Sequence, residues 1–167
     1  MPDPCYICDS DALINLYEHF PKRFRKLRKW VKSGKVMIPE RVYNELKSRW
    51  DRKRKLMEKW AKDYPDFVVY FKEHELREEL QKKLAQIELT YGETIRIGNK
   101  IYGGFWKSKR GRKAADGQVI ALGKVLNCIV VSDDKKIRLV CMLEDVPSIT
   151  WTEFARRLGA NEDLQLF

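Results

Sequence analysis

The sequence is poor in the residues that announce the commonest catalytic centres. Of its 167 residues only two are histidines, His19 and His74, and neither stands in a pattern of partners that would make a base or a metal site. A Gly-rich phosphate loop, a dinucleotide fingerprint and a nucleophile elbow are all missing, which sets aside the chemistries those motifs carry. No apolar run reaches the roughly 18 residues of a membrane-spanning helix. The N-terminus also lacks the charged segment and apolar stretch of a secretory signal, so a cytoplasmic protein without membrane contact is expected. Internal repeats and low-complexity linkers are absent too.

Cysteine is scarce. The four are Cys5, Cys8, Cys128 and Cys141, and the first two read C-Y-I-C. If that stretch is a strand, alternation sends Cys5 and Cys8 to opposite faces, and no second close pair exists to complete a zinc site. The four are therefore expected to be small buried hydrophobes in a reducing compartment.

Charge is what the chain has in abundance. Charged residues make up 35% of it, against the usual quarter, beside an ordinary 44% of hydrophobic residues. A single domain over residues 1–167 is expected, with a compact core under a highly charged skin. The net charge of +10 points to a polyanionic partner, and with no membrane signal that partner is nucleic acid.

Along the chain, residues 5–8 read as a first strand, bounded by Pro4 and by Asp9-Ser10-Asp11, with Asp9 or Ser10 capping the helix that carries Leu13, Ile14, Leu16 and Tyr17. Residues 21–35 hold eight Lys or Arg and no acid around Phe24, Leu27, Trp30 and Val31, an amphipathic basic helix. Val36-Met37-Ile38 precedes Pro39, which suits the start of a helix over residues 40–50. Charge-rich helices follow to about Leu89, broken near Tyr64-Pro65 by an extended piece at Phe67-Val68-Val69. Residues 98–113, with four glycines, six basic residues and no acid, read as a loop or hairpin. Asp116 then begins a helix that feeds the β-branched run 128–131, an αβ unit, and two short helices flank a last strand near Ser148.

The acids fall at matching ends of these elements. Asp9 follows one fully apolar strand and Asp134 another, and ligands gather at the carboxyl ends of strands in an open parallel sheet. Asp116 heads the helix before the second strand, and Glu45 lies at the border of a helical Val42-Leu46 stripe, where it can look into a cleft. Carboxylates sharing a cleft repel one another unless a cation neutralises them, and all-oxygen ligation suits Mg²⁺ or Mn²⁺. The competing readings are plain: Asp9 and Asp116 as helix caps, Asp133 and Asp134 as a solvated turn, Glu45 as a surface residue.

The segments YICDSDALINLY, VMIPERVYNELK, AADGQVIALG and IVVSDDKKI, in this order, resemble the PIN domain, a fold of metal-dependent ribonucleases that includes toxins of bacterial and archaeal toxin–antitoxin pairs. The resemblance implies a three-layer α/β/α fold with a central, mostly parallel sheet, interrupted by a basic helical and loop insertion at about 47–113, between Glu45 and Asp116. It implies an Mg²⁺- or Mn²⁺-dependent endoribonuclease, a toxin or an RNA-processing enzyme, in which Asp9, Glu45, Asp116 and Asp134 are catalytic. Asp9, Asp116 and Asp134 would hold the metal, supported by Ser10 and Ser132, with Asp133 competing for the place of Asp134. RNA, an antitoxin and a second copy of the chain are the partners it implies. The alternative is a non-catalytic RNA-binding module on a degenerate PIN fold.

The segment leading into Asp116 interleaves Tyr102 and Trp106 with Lys107, Lys109, Arg110, Arg112 and Lys113. Cations serve phosphates and aromatic faces stack on unpaired bases, so this segment is expected to bind RNA; otherwise its aromatics pack on the domain. The basic faces of residues 22–35 and 47–62 are weaker candidates for RNA, since charge runs on helices are usually solvated surface.

Overall fold

Tyr6–Cys8 (β1) is apolar on both sides of its pleat because both faces of the strand are covered. Tyr6 stacks on Trp30 and packs against Phe154, while Ile7 and Cys8 are completely enclosed. The computed structural model describes residues 3–164, the last four by backbone alone. After β1 come α1 (Ser10–His19), α2 (Arg23–Lys32), β2 (Val36–Pro39), α3 (Glu40–Arg49), α4 (Arg54–Asp63), β3 (Val68–Val69) and α5 (Arg77–Tyr91). The hairpin β4 (Thr94–Ile97) and β5 (Lys100–Gly103) leads to α6 (Asp116–Leu126), β6 (Ile129–Val131), α7 (Lys135–Leu143), β7 (Ser148–Ile149) and α8 (Trp151–Leu164).

The five strands of the main sheet run parallel in the order β3-β2-β1-β6-β7. Helices α1, α2 and α8 pack together as one outer layer, and α6 lies across β1, β2 and β6 under α5, giving three layers, α/β/α. The core runs through all three, with Leu13, Leu16, Leu27, Ile38, Leu46 and Phe154 wholly enclosed. Strand order reverses direction of growth between β1 and β6, which makes the carboxyl ends of those two strands the topological switch point where such sheets bind ligands. No helix among the described residues is long and apolar enough to cross a membrane.

The segment between Glu45 and Asp116 is structural as well as basic. It supplies β3, an edge strand of the main sheet, and α5, which covers α6. Its antiparallel hairpin, β4 with β5, forms where the glycine-rich stretch begins. Helix α6 ends at Asn127, whose φ of 56° is the left-handed conformation that a short polar side chain tolerates at such a stop.

The cysteine expectation is corrected in part. Cys5 and Cys128 form a disulfide, with Cα atoms 4.8 Å apart, whereas Cys8 and Cys141 are free and buried as expected. Alternation does keep Cys5 from meeting Cys8. The partner comes instead from the neighbouring strand: the register pairs Tyr6 with Ile129, so the residues just before them lie side by side. Single-strand reasoning has no view of that pairing.

Candidate active site at the switch point

Asp9 begins at the end of β1, where its backbone N–H donates to the carbonyl of Val131 at 3.2 Å. It is the N-cap of α1: Oδ1 accepts from the Ala12 N–H at 2.7 Å. Oδ2 accepts from the hydroxyl of Ser132, a side chain completely enclosed at the end of β6. The same Ser132 Oγ accepts the N–H of Asp134 at 3.0 Å, and Asp134 caps α7 by accepting from Ile137 N–H at 3.1 Å. A single buried hydroxyl thus ties the two strand ends together. Glu45 reaches the site from α3, where its Oε2 accepts from Ser10 Oγ at 2.8 Å, and Arg49 donates to that hydroxyl at 3.2 Å and to Asp11 at 2.7 Å. Asp116 occupies the first turn of α6 without capping it, which removes the bland reading for that residue; for Asp9 and Asp134 capping and membership of the cluster coexist.

The charges of these acids act on one another. Burial pushes Asp9 up to about 7, against the opposing pull of the Ser132 hydroxyl and the Ala12 N–H, and Asp11 and Asp134 push it further. Asp116 also rises to about 7, first from burial and then from Asp134, Glu45 and Asp9, with Lys136 pulling it back. Asp133 contributes to neither; its Oδ1 accepts the Trp151 N–H at 3.0 Å at the start of α8. Among the described residues no group of three or more His, Cys, Asp or Glu is disposed to hold a metal ion as it stands. The donor set is nonetheless all-oxygen and short of positive charge, the electrostatic condition that a hard divalent cation relieves.

Beside this cleft lies the basic segment. Gly104 approaches α5 so closely that any Cβ there would strike the carbonyls of Tyr91 and Gly92, and the chain is pinned by Gly104 N–H to Glu93 O and Trp106 N–H to Gly92 O, both 2.9 Å. Lys109, Arg110 and Lys113 line a groove that also contains Glu45. Lys107 instead pairs with Glu93 at 3.4 Å, Arg112 lies over the Trp106 ring at 4.1 Å, and Lys135 lies over Tyr102 at 4.8 Å. Both aromatics are half-buried, so three cations face the groove while the rings pack at its rim.

A family model described as a domain of unknown function, DUF4411, matches residues 6–161. The chain belongs to that family. No curated protein sequence matches it. Among solved structures, FitAB bound to the IR36 DNA fragment is similar at TM-score 0.52 and 16% identity, over 87% of this chain and 94% of that one. PAE2754 from Pyrobaculum aerophilum gives TM-score 0.51 and 15% identity, over 94% and 98%. VapBC2 from Rickettsia felis, bound to a promoter DNA fragment, gives TM-score 0.49 and 13% identity over 88% and 98%. At these identities FitAB and PAE2754 show the fold.

In this DUF4411 chain, sequence reasoning had overlooked Arg49 and Lys136. Lys136 balances Asp116 and donates to the carbonyl of Gly104 at 3.3 Å, linking the acids to the basic segment. Its position two residues after Asp134, at the start of α7, was a usable signal. Arg49 could have been found at one helical turn from Glu45, on the same face of α3.

The raised carboxyl of Asp116 carries a stability prediction. Its pKa of about 7 in the fold, against an ordinary 3.8, means that below pH 4 both states hold the proton and folding is unaffected. As pH rises from 4 to 7 only the unfolded chain releases it, so the fold loses up to about 4 kcal/mol, and above 7 the loss is constant. Asp116→Asn removes that penalty. In EDTA the variant should melt higher than the wild type at pH 8 and at the same temperature at pH 4, and Mg²⁺ at pH 8 should raise the wild type selectively. A variant that melts lower at pH 8 would refute this account.

Proposed function

We propose that the chain is a metal-dependent endoribonuclease that hydrolyses phosphodiester bonds with water as nucleophile. The observation that carries this reading is the gathering of Asp9, Asp116, Asp134 and Glu45 at the switch point, where burial first and neighbouring acids second raise Asp9 and Asp116, next to a groove edged with exposed cations. The resemblance of the four motifs to the PIN domain supports it, as does the three-layer fold.

Asp9, Asp116 and Asp134 would hold Mg²⁺ or Mn²⁺. Mg²⁺ is commonly bound through one or two carboxylates completed by water and substrate phosphate, which fits acids that do not close on a point by themselves. When bound, such an ion neutralises the carboxylates, lowers the pKa of water and stabilises charge on the phosphoryl oxygens. The residues of the chain do the rest. Ser132 and Ala12 N–H fix both oxygens of Asp9, so that its orientation is set before substrate arrives. Glu45, held by Ser10 Oγ at the mouth of the cleft, accepts a proton from the attacking water. Lys136 offsets part of the negative charge and keeps the basic segment beside it.

The test is cleavage of a mixed pool of structured and single-stranded RNAs by purified protein in Mg²⁺, Mn²⁺ or EDTA. Cutting in either metal and none in EDTA is expected. Binding without cutting under every metal would assign the chain to the alternative class, a non-catalytic RNA-binding module.

A further inference from the structure

The basic faces of α2 and α4, two separate runs of charge in the sequence, meet in the fold. Phe24 of α2 stacks on Trp60 of α4 with ring centroids 5.2 Å apart, and Arg28 Nε donates to the Tyr64 hydroxyl at 3.1 Å. A shallow groove of about 310 Å³ runs between the two helices, with Arg25, Arg28 and Lys59 along it and Asp63 among them. Each helix turns its apolar side to the core, Phe24, Leu27 and Val31 from α2 and Met57 and Trp60 from α4. The outer sides carry cations at matching intervals: Arg25, Lys29 and Lys32 on one, Lys55, Lys59 and Lys62 on the other, each set spaced by four residues and then three. Residues so spaced are neighbours on a helix surface, about 5–6 Å apart, so the two sets form two rows, one on either bank of the groove.

All six side chains are exposed, and among the described residues none has an ion pair. Like charges held in rows repel one another, a cost that a polyanion removes. A bilayer is poorly served by this face, because the apolar sides of both helices are buried and leave nothing to enter its interface. Unpaired bases are poorly served as well: Phe24 and Trp60 lie under the cations at 8% and 3% exposure and offer no ring for stacking. Cations in rows, with nothing that reads a base, match the sugar–phosphate surface of a duplex.

The face is distinct from the acid cleft and from the groove beside it, whose walls Arg41 bridges from Glu88 Oε2 to the carbonyl of Ala114, both at 3.4 Å. Tyr17 of α1 lines the α2–α4 groove, whereas Asp9 caps the other end of that helix, eight residues or about 12 Å away along its axis. The cations between them, Arg49, Arg52 and Lys53, are held by Asp11, Glu18 and the Tyr17 ring.

We infer that the joined faces of α2 and α4 form a second nucleic-acid contact, which takes the backbone of a base-paired stem of the RNA while the bond to be cut lies at the acids. The inference rests on the ribonuclease reading for the identity of the polymer. It makes Lys29 and Lys59, which touch neither the acids nor the basic segment, determinants of which RNAs are held.

The experiment is fluorescence anisotropy in EDTA with full-length Asp116→Asn protein and two labelled RNAs of equal length, a stem-loop and an unstructured strand. Lys29→Glu and Lys59→Glu, one from each row, are introduced singly and together, and Arg96→Glu on β4 is the control for overall charge. The expected result for the double variant is a loss of about tenfold in affinity for the stem-loop, with a shallower salt dependence, against a loss of about twofold or less for the unstructured strand and for Arg96→Glu. In the protein with Asp116 intact, the same two substitutions should raise KM for the stem-loop about tenfold and leave kcat within about twofold. Equal losses for Arg96→Glu, or equal losses for the stem-loop and the unstructured strand, would overturn the inference. So would polyglutamate binding that depends on Lys29 and Lys59 when stem-loop binding does not, which would assign the face to an acidic protein. The two readings fail separately. Stem-loop binding through both rows by a wild type that never cuts removes the nuclease and keeps the contact, whereas metal-dependent cutting with a KM indifferent to both substitutions removes the contact.

Discussion

Asp9→Asn is expected to lower RNA cleavage by about a thousandfold while leaving RNA affinity within a few-fold of wild type. The substitution is close to isosteric and Asn is as good a helix cap as Asp, so Oδ1 still accepts the Ala12 N–H and α1 still starts where it does. The Ser132 hydroxyl can rotate to accept from the new amide. What disappears is one negative charge at the end of β1. Cation-borne stabilisation of the transition state is worth several kcal/mol, and each 1.36 kcal/mol is a factor of ten in rate, which sets the size of the effect. Single-turnover cleavage, with affinity measured in parallel, separates this from loss of folding. Retention of a tenth or more of the rate would mean that Asp9 is a cap and nothing else.

Reduction of the Cys5–Cys128 disulfide should cost the fold about 2–5 kcal/mol, the upper figure following from the entropy of closing a loop over a separation of 123 residues. For a chain of this size that corresponds to a fall in Tm on the order of 10 °C. Thermal unfolding with and without a phosphine reductant measures it, and Cys5→Ser should reproduce the reduced midpoint without reductant. Thiol titration of the unreduced, denatured protein provides an independent check. Two reactive thiols, Cys8 and Cys141, are expected; finding four would show that the bridge does not form.

How much of this was legible beforehand depends on whether a feature is local. The two buried strands and the helix headed by Asp116 follow from apolar runs, β-branched residues and turn signals that lie within about ten positions of one another. Asp9, Asp116 and Asp134 stood out because each sits at the end of an element, and the parallel order of the sheet brings those ends together, while Glu45 was visible only from its place at the border of an apolar helical stripe. Asp134 was preferred to Asp133 from the resemblance alone, and what the sequence could not show is that Asp133 accepts the Trp151 N–H at the start of α8. The Cys5–Cys128 pairing and the Arg41 bridge across the groove join residues far apart in sequence, through strand register and helix packing that no single stretch encodes. In the basic segment, composition pointed to cations and aromatics but could not divide them between those facing the groove and those spent on Glu93, Trp106 and Lys135.

The two-residue strand β3 bears on how the molecule could be trimmed. Because it hydrogen-bonds along β2 at Ile38 and Pro39, the long stretch between Glu45 and Asp116 closes one border of the sheet. Splicing that stretch out to leave a minimal core would strip the cover from an apolar border strand whose free amides and carbonyls invite pairing with another chain. A shortened protein would then be lost to self-association before its chemistry could be assayed, and point substitutions on the rim are the means of separating what the segment does for the ligand from what it does for solubility.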